Sequence, residues 1–248
     1  RRVKTVLMSG GRGTRISSVA SDIPKPMIRI EGVPVLEREI VCLRDKGFTD
    51  FILTVSYMAD QIIDYFCDGQ KLGVNIEYFR EDQPLGNAGA LFKIRDRLSE
   101  PFLLLNADAV FDIDFNRLVI YHRSHGGLVT LFTHPNSHPY DSGVIIAGAD
   151  GSVERWLTKE DVRPQWYKNR VNAGLHVIDP VVLDISGVRM EAVGREVDGI
   201  RIKVDLDRQI LKPLGMLLFW PLAPQFCLQN SQQQQNKVLA PLRQQASA

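Results

Sequence analysis

The chain has 248 residues, 44% of them hydrophobic, enough to bury the core of one large α/β domain. Thirty Lys and Arg against 29 Asp and Glu leave a formal net charge of +1, which excludes an electrostatic argument for nucleic acid or an anionic membrane as partner. The 3 cysteines, Cys42, Cys67 and Cys227, lie far apart without CxxC spacing, which argues against a disulfide framework or zinc site and for buried or idle thiols.

Short apolar runs alternate with amphipathic stretches from the start, the pattern of a mainly parallel sheet covered by helices. Residues 3–8 read as the first strand. A helix is expected over 35–46: Pro34 suits its first turn, Leu36, Ile40 and Leu43 share one face, and Gly47 stops it. Strands are predicted over 51–55 and 74–79, with helices over 58–66 and 88–98. The continuous apolar run 102–105 suits a buried central strand. A helix over 115–124 follows, with Asp114 as its N-cap, and then strands over 128–133, 143–147, 153–157 and 171–178. After Leu214 the sequence loses all Asp and Glu and carries the run 232–235 of Gln, which reads as a poorly structured tail over 215–248. Arg1-Arg2 leads directly into an apolar strand, as in a chain cut from something longer. No signal peptide is evident, and the apolar run 216–222 is far short of the roughly 20 residues that span a membrane, so a cytoplasmic protein without a membrane partner is expected.

In open α/β sheets ligands sit beyond the carboxyl ends of the strands. After the first strand comes Ser9-Gly10-Gly11-Arg12-Gly13-Thr14-Arg15, whose glycines allow close backbone approach and whose amides can point at phosphate oxygens. Pro24-Lys25-Pro26 then holds an ammonium between two stiff residues. A plain surface turn with a solvated lysine fits this pair as well. Neither GxGxxG nor the Walker pattern is present, so the loop with Lys25 points to a nucleoside triphosphate rather than a dinucleotide. In Asn106-Ala107-Asp108, an Asp at a strand end beside phosphates suits Mg²⁺, which takes hard oxygen donors. Asp112 and Asp114 stay outside the site. Glu81 to Leu91, with Pro84-Leu85-Gly86-Asn87-Ala88-Gly89, turns into a helix through small residues that leave room for a flat base, although a tight strand-to-helix turn would look similar.

Together with Val171-Asn172-Ala173-Gly174, these motifs occur in an order that resembles the sugar-phosphate nucleotidyltransferases across residues 3–214. The texture of Pro84 to Leu91 is most similar to heptose 1-phosphate and mannose-1-phosphate guanylyltransferases. The resemblance implies a Rossmann-like three-layer α/β sandwich with a mainly parallel mixed sheet over 1–214. It also implies attack of a sugar 1-phosphate on the α-phosphorus of a nucleoside triphosphate, GTP favoured, to give a nucleotide sugar and pyrophosphate. By motif, Arg15, Lys25 and Asp108 carry the reaction, with Asp108 holding Mg²⁺. Gly10, Gly11, Gly13, Thr14, Glu81, Gly86 and Asn87 bind the nucleotide, and Gly143, Lys159, Asn172 and Gly174 line the sugar-phosphate pocket. A homo-oligomer stays open.

Two departures stand out. Thr158 stands where relatives carry an acid before the lysine matched to Lys159. The second metal-binding Asp that relatives supply late in the domain is not found, because the resemblance of 204–214 to the preceding helix stops at the tail. The tail is expected to replace the family's usual ending and to lower activity. Uridylyl or thymidylyl transfer to glucose 1-phosphate, or a nucleotide-binding homologue without turnover, are the alternatives.

Overall fold

The computed structural model describes residues 3–9, 23–83, 85, 89–135, 143–158 and 161–184, and the backbone of 216–219. Its centre is a nine-stranded sheet with β1 (Thr5–Met8), β4 (Asp50–Val55), β5 (Asn75–Arg80), β6 (Phe102–Asn106), β7 (Val129–His134), β10 (Val171–Ile178) and β11 (Met216–Phe219) in the order β11-β7-β10-β6-β1-β4-β5. The pairs β1–β4, β1–β6, β4–β5 and β7–β11 are parallel, and β10 runs antiparallel to both β6 and β7. A hairpin of β8 (Val144–Ala147) and β9 (Val153–Leu157) branches from β10. A two-stranded ribbon, β2 (Arg29–Ile30) with β3 (Val33–Pro34), stands before the first helix. This is the expected three-layer sandwich with a mainly parallel mixed sheet.

The strand period of two divides the core between the two faces. Leu7, Leu53, Leu105 and Val177 face α1 (Val35–Asp45), α2 (Ala59–Phe66) and α4 (Phe115–His125), packing with Leu36, Ile40, Ile62 and Phe115. Their neighbours Val6, Ile52, Leu104 and Ile178 face the other way, onto Leu91 of α3 (Gly89–Lys93), Ile94 and the short turn Pro180–Asp184. Gly47 ends α1 with φ 93°: its N–H reaches the Arg44 carbonyl at 2.8 Å, and the Phe48 N–H reaches that of Leu43 at 3.0 Å. That is a Schellman ending, for which only glycine is unstrained. The Asp114 carboxylate accepts the Arg117 N–H at 3.2 Å, capping α4 as expected.

The expected helix 88–98 is instead α3 followed by a 3-10 turn, Arg95–Arg97. Four residues of the segment read as an unstructured tail form β11, because the apolar run Met216–Phe219 meets the otherwise unpaired edge of β7. No helix among the described residues is long and apolar enough to cross a membrane.

Two histidines lie within the fold. His122 of α4 is buried with Nδ1 2.9 Å from the Thr130 hydroxyl, and burial lowers its pKa despite the opposing pull of Asp179. His176 of β10 is partly exposed as a residue, but its Nδ1 is buried without a partner, and burial holds it down to about 4. Unfolded histidine titrates near pH 6.5, so both stabilise the folded chain above that value, and the contribution is lost as pH falls through the lowered values. An NMR titration is expected to find the His122 midpoint below 6.5 and that of His176 near 4. A midpoint of 6.5 or above for either would contradict this.

Candidate active site

The chain steps from β1 outward through β4 to β5, then returns to β6 on the other side of β1. Met8 pairs with Asn106 at this switch point, so the loops after both strands open from one crevice. Their roots are fixed. The Ser9 N–H donates to the Thr54 carbonyl at 3.0 Å, the Ser9 hydroxyl donates to the same oxygen, and the Ala107 N–H donates to the Met8 carbonyl at 3.0 Å.

Lys25 and Asp108 meet across this crevice. Pro24 is extended, with ψ 140°, and a 3-10 turn Lys25–Met27 follows, in which Pro26 and Met27 are buried and anchor the segment. The Lys25 ammonium thus reaches the Asp108 carboxylate as an ion pair, the two side chains 32% and 33% exposed. Asp112 instead lies 3.7 Å from Lys46, and Asp114 is engaged as a helix cap.

Glu39 of α1, near enough to feel the charge of Asp108, is only 1% exposed, with neither carboxylate oxygen hydrogen-bonded. Burial raises its pKa well above the usual carboxylate range, and the negative charge of Asp108 raises it further. One turn along α1, the Cys42 thiol donates to the Phe111 carbonyl at 3.2 Å, tying the loop after β6 to the helix. Burial pushes that thiol up. Cys67 is free and exposed.

Glu81 directly follows β5 and is buried, its pKa raised by burial and opposed by the Leu85 N–H, which it accepts at 3.1 Å. The carboxylate therefore ties Leu85 back to the end of β5. On the far side of the crevice, the Asn172 side chain accepts the Gly174 N–H at 3.2 Å, where the register of β10 against β7 shifts. Gly174 has φ +78°, and a Cβ there would stand 2.6 Å from Nδ2 of Asn106, so no other residue fits without moving that amide. Asn172 and Gly174 are thereby joined to the β6 end that carries Asp108. A Cβ on Gly143 would lie 2.4 Å from Nε1 of Trp156.

Gly10, Gly11, Gly13, Thr14, Arg15, Gly86, Asn87 and Lys159 fall outside the described residues. Three residues at the site were not read from the sequence as part of it: Glu39, Asn106 and Trp156. Asn106 sits in the Asn-Ala-Asp motif, and Glu39 is a charge three residues after Leu36 on an apolar helical stripe, so both left a signal. Trp156 left none. Magnesium takes one or two carboxylates alongside substrate phosphate oxygens. Asp108 fits as one such donor, while among the described residues no group of three or more His, Cys, Asp or Glu gathers to hold a metal.

Known proteins resemble this chain in sequence and in fold. Mannose-1-phosphate guanyltransferase beta-B of Xenopus laevis is 34% identical over 200 residues, 79% of this chain and 55% of that protein. Mannose-1-phosphate guanylyltransferase catalytic subunit beta of Drosophila pseudoobscura pseudoobscura is 31% identical over 221 residues, 88% of this chain and 58% of that protein. The chain thus spans little more than half the length of these curated relatives. The crystal structure of HddC from Yersinia pseudotuberculosis superposes with a TM-score of 0.69 at 24% identity, over 88% of this chain and 89% of that one. Residues 4–201 match the family model described as nucleotidyl transferase, and the chain belongs to that family.

Proposed function

We propose that this chain couples a sugar 1-phosphate with a nucleoside triphosphate, giving a nucleotide sugar and pyrophosphate, with GTP as nucleotide and mannose or heptose 1-phosphate as acceptor. The observation that carries the reading is the meeting of Lys25 and Asp108 at the switch point, next to the loop that follows β1. The guanylyltransferase relatives support GTP.

A phosphate oxygen of the sugar 1-phosphate forms a new bond to the α-phosphorus, the bond from that phosphorus to the β-phosphate oxygen breaks, and pyrophosphate leaves with the electron pair. No covalent enzyme intermediate is needed, so the protein contributes position and charge. Lys25 offers its ammonium to the phosphate oxygens on which charge builds. Arg15 is assigned to the leaving pyrophosphate on the sequence motif. Mg²⁺, held by Asp108, would neutralise phosphate charge when bound. The Glu81–Leu85 turn shapes the base pocket, and Asn172 with Gly174 forms the acceptor wall.

Pyrophosphate release is to be measured with each of four nucleoside triphosphates against mannose, heptose and glucose 1-phosphates. GTP with mannose or heptose 1-phosphate is expected to give the largest kcat/KM. A preference for UTP or dTTP with glucose 1-phosphate would overturn the assignment of substrates. GTP binding without pyrophosphate in any combination would overturn the reaction.

A further inference from the structure

Trp156 is half-buried on β9, opposite Ile145 in the β8–β9 ladder, and it packs against the core layer that holds Ile145 and Val153. The hairpin therefore fixes the plane of the indole. Its Nε1 lies so close to Gly143 that a Cβ at that glycine would stand 2.4 Å away. No described residue accepts a hydrogen bond from this N–H, and the atom is not among the fully buried unpartnered ones, so it is a donor open to a ligand. An accessible indole N–H is a donor that water or a ligand oxygen can satisfy.

The surroundings indicate which substrate. Val144 pairs with Val171, so the antiparallel register brings Gly143 beside Asn172. Asn172 accepts the Gly174 N–H, and Gly174 lies against Asn106 at the end of β6. Trp156 is thus continuous, through Gly143, Asn172 and Gly174, with the acceptor wall of the crevice. Its N–H is uncharged, which suits a sugar hydroxyl, whereas phosphate oxygens are served by the charged side chains.

We propose that the Trp156 indole N–H donates a hydrogen bond to one hydroxyl oxygen of the acceptor sugar, making Trp156 a specificity-determining residue. The inference rests on the nucleotidyl-transfer reading of the same site. Gly143 is then required because any side chain there would displace the donor. Phenylalanine keeps the packing ring and lacks the N–H, so Trp156→Phe isolates the hydrogen bond.

The test has two arms. In the first, the indole ¹⁵N–H signal of Trp156, assigned by its loss in Trp156→Phe, is followed as mannose 1-phosphate and its single-position deoxy analogues are added. The signal is expected to move with mannose 1-phosphate and to stay in place with the analogue that lacks the contacted hydroxyl. In the second, Trp156→Phe is expected to raise the KM for mannose 1-phosphate about tenfold with the Kd for GTP unchanged, and to lose discrimination against that analogue. An indole signal indifferent to sugar phosphate, or a variant with wild-type KM, overturns the inference. In the second case turnover continues and the proposed reaction stands. A signal that responds to sugar phosphate in a protein that releases no pyrophosphate would instead keep the inference and refute the reaction.

Discussion

Asp108→Ala is expected to lower pyrophosphate release about 10²- to 10³-fold while leaving the fold intact. Asp108 follows the end of β6 at the switch point, and its one described ion-pair partner is Lys25. An ion pair this exposed is worth about 0–1 kcal/mol to stability, so its loss cannot unfold the chain. Lys25→Ala is expected to act in the same direction by removing positive charge from the reacting phosphates. Rates measured beside circular-dichroism melts check both. A variant that keeps full turnover would remove that residue from the site, and one that melts early would show the pair to be structural.

The second large effect concerns stability. Glu39→Met is expected to stabilise the chain by about 1–3 kcal/mol, because it removes a buried carboxyl whose oxygens have no hydrogen bond. The pH dependence gives the sign. A carboxyl with a raised folded pKa holds its proton in the native state when the unfolded chain has lost it. Its contribution to stability therefore shrinks as pH rises from the unfolded value toward the folded one. The gain on substitution is accordingly larger at pH 8 than at pH 5, which separates it from the opposite slope of His122 and His176. Urea denaturation of both proteins at the two pH values measures it. Destabilisation by Glu39→Met at pH 8 would mean that the carboxyl is held by interactions the structure does not contain.

Glu39 also marks where reading the sequence ran out. Leu36, Ile40 and Leu43 predict the buried face of α1, and Gly47 its end, since a 3.6-residue period and a left-handed glycine are local properties. Whether a charge on that face bends out to solvent or stays buried depends on what packs against α1, and the core that its apolar face joins includes Leu7, Met27 and Leu105 from distant parts of the chain. The strands were legible because period-two alternation and long apolar runs survive in a single sequence. The β2–β3 ribbon was not, for strands of two residues have no period. The helical pattern over 88–98 outruns α3 because Leu91, Ile94 and Leu98 reach the same core from α-helical and 3-10 spacing alike. β11 was missed because its apolar run lies in a segment whose glutamines and prolines read as unstructured.

In the site, Lys25 and Asp108 were legible as separate motifs, and the fold brings them together across 83 positions of sequence. Glu81 belongs to a motif as well, but its engagement with the Leu85 N–H depends on the path of the turn. Trp156 was invisible because the sheet register, rather than spacing in sequence, sets it against Gly143 and beside Asn172.

The central claim is that this crevice joins a sugar 1-phosphate to the α-phosphorus of a nucleotide. Phosphorus-31 NMR of GTP incubated with the protein, Mg²⁺ and, in separate samples, mannose 1-phosphate or heptose 1-phosphate tests it directly, with turnover expected in at least one sample. The predicted result is a diphosphate-linked nucleotide sugar and pyrophosphate appearing in equal amounts, both dependent on the sugar phosphate. Release of inorganic phosphate with GDP, or an unchanged spectrum in both samples at GTP concentrations that saturate binding, would contradict the account.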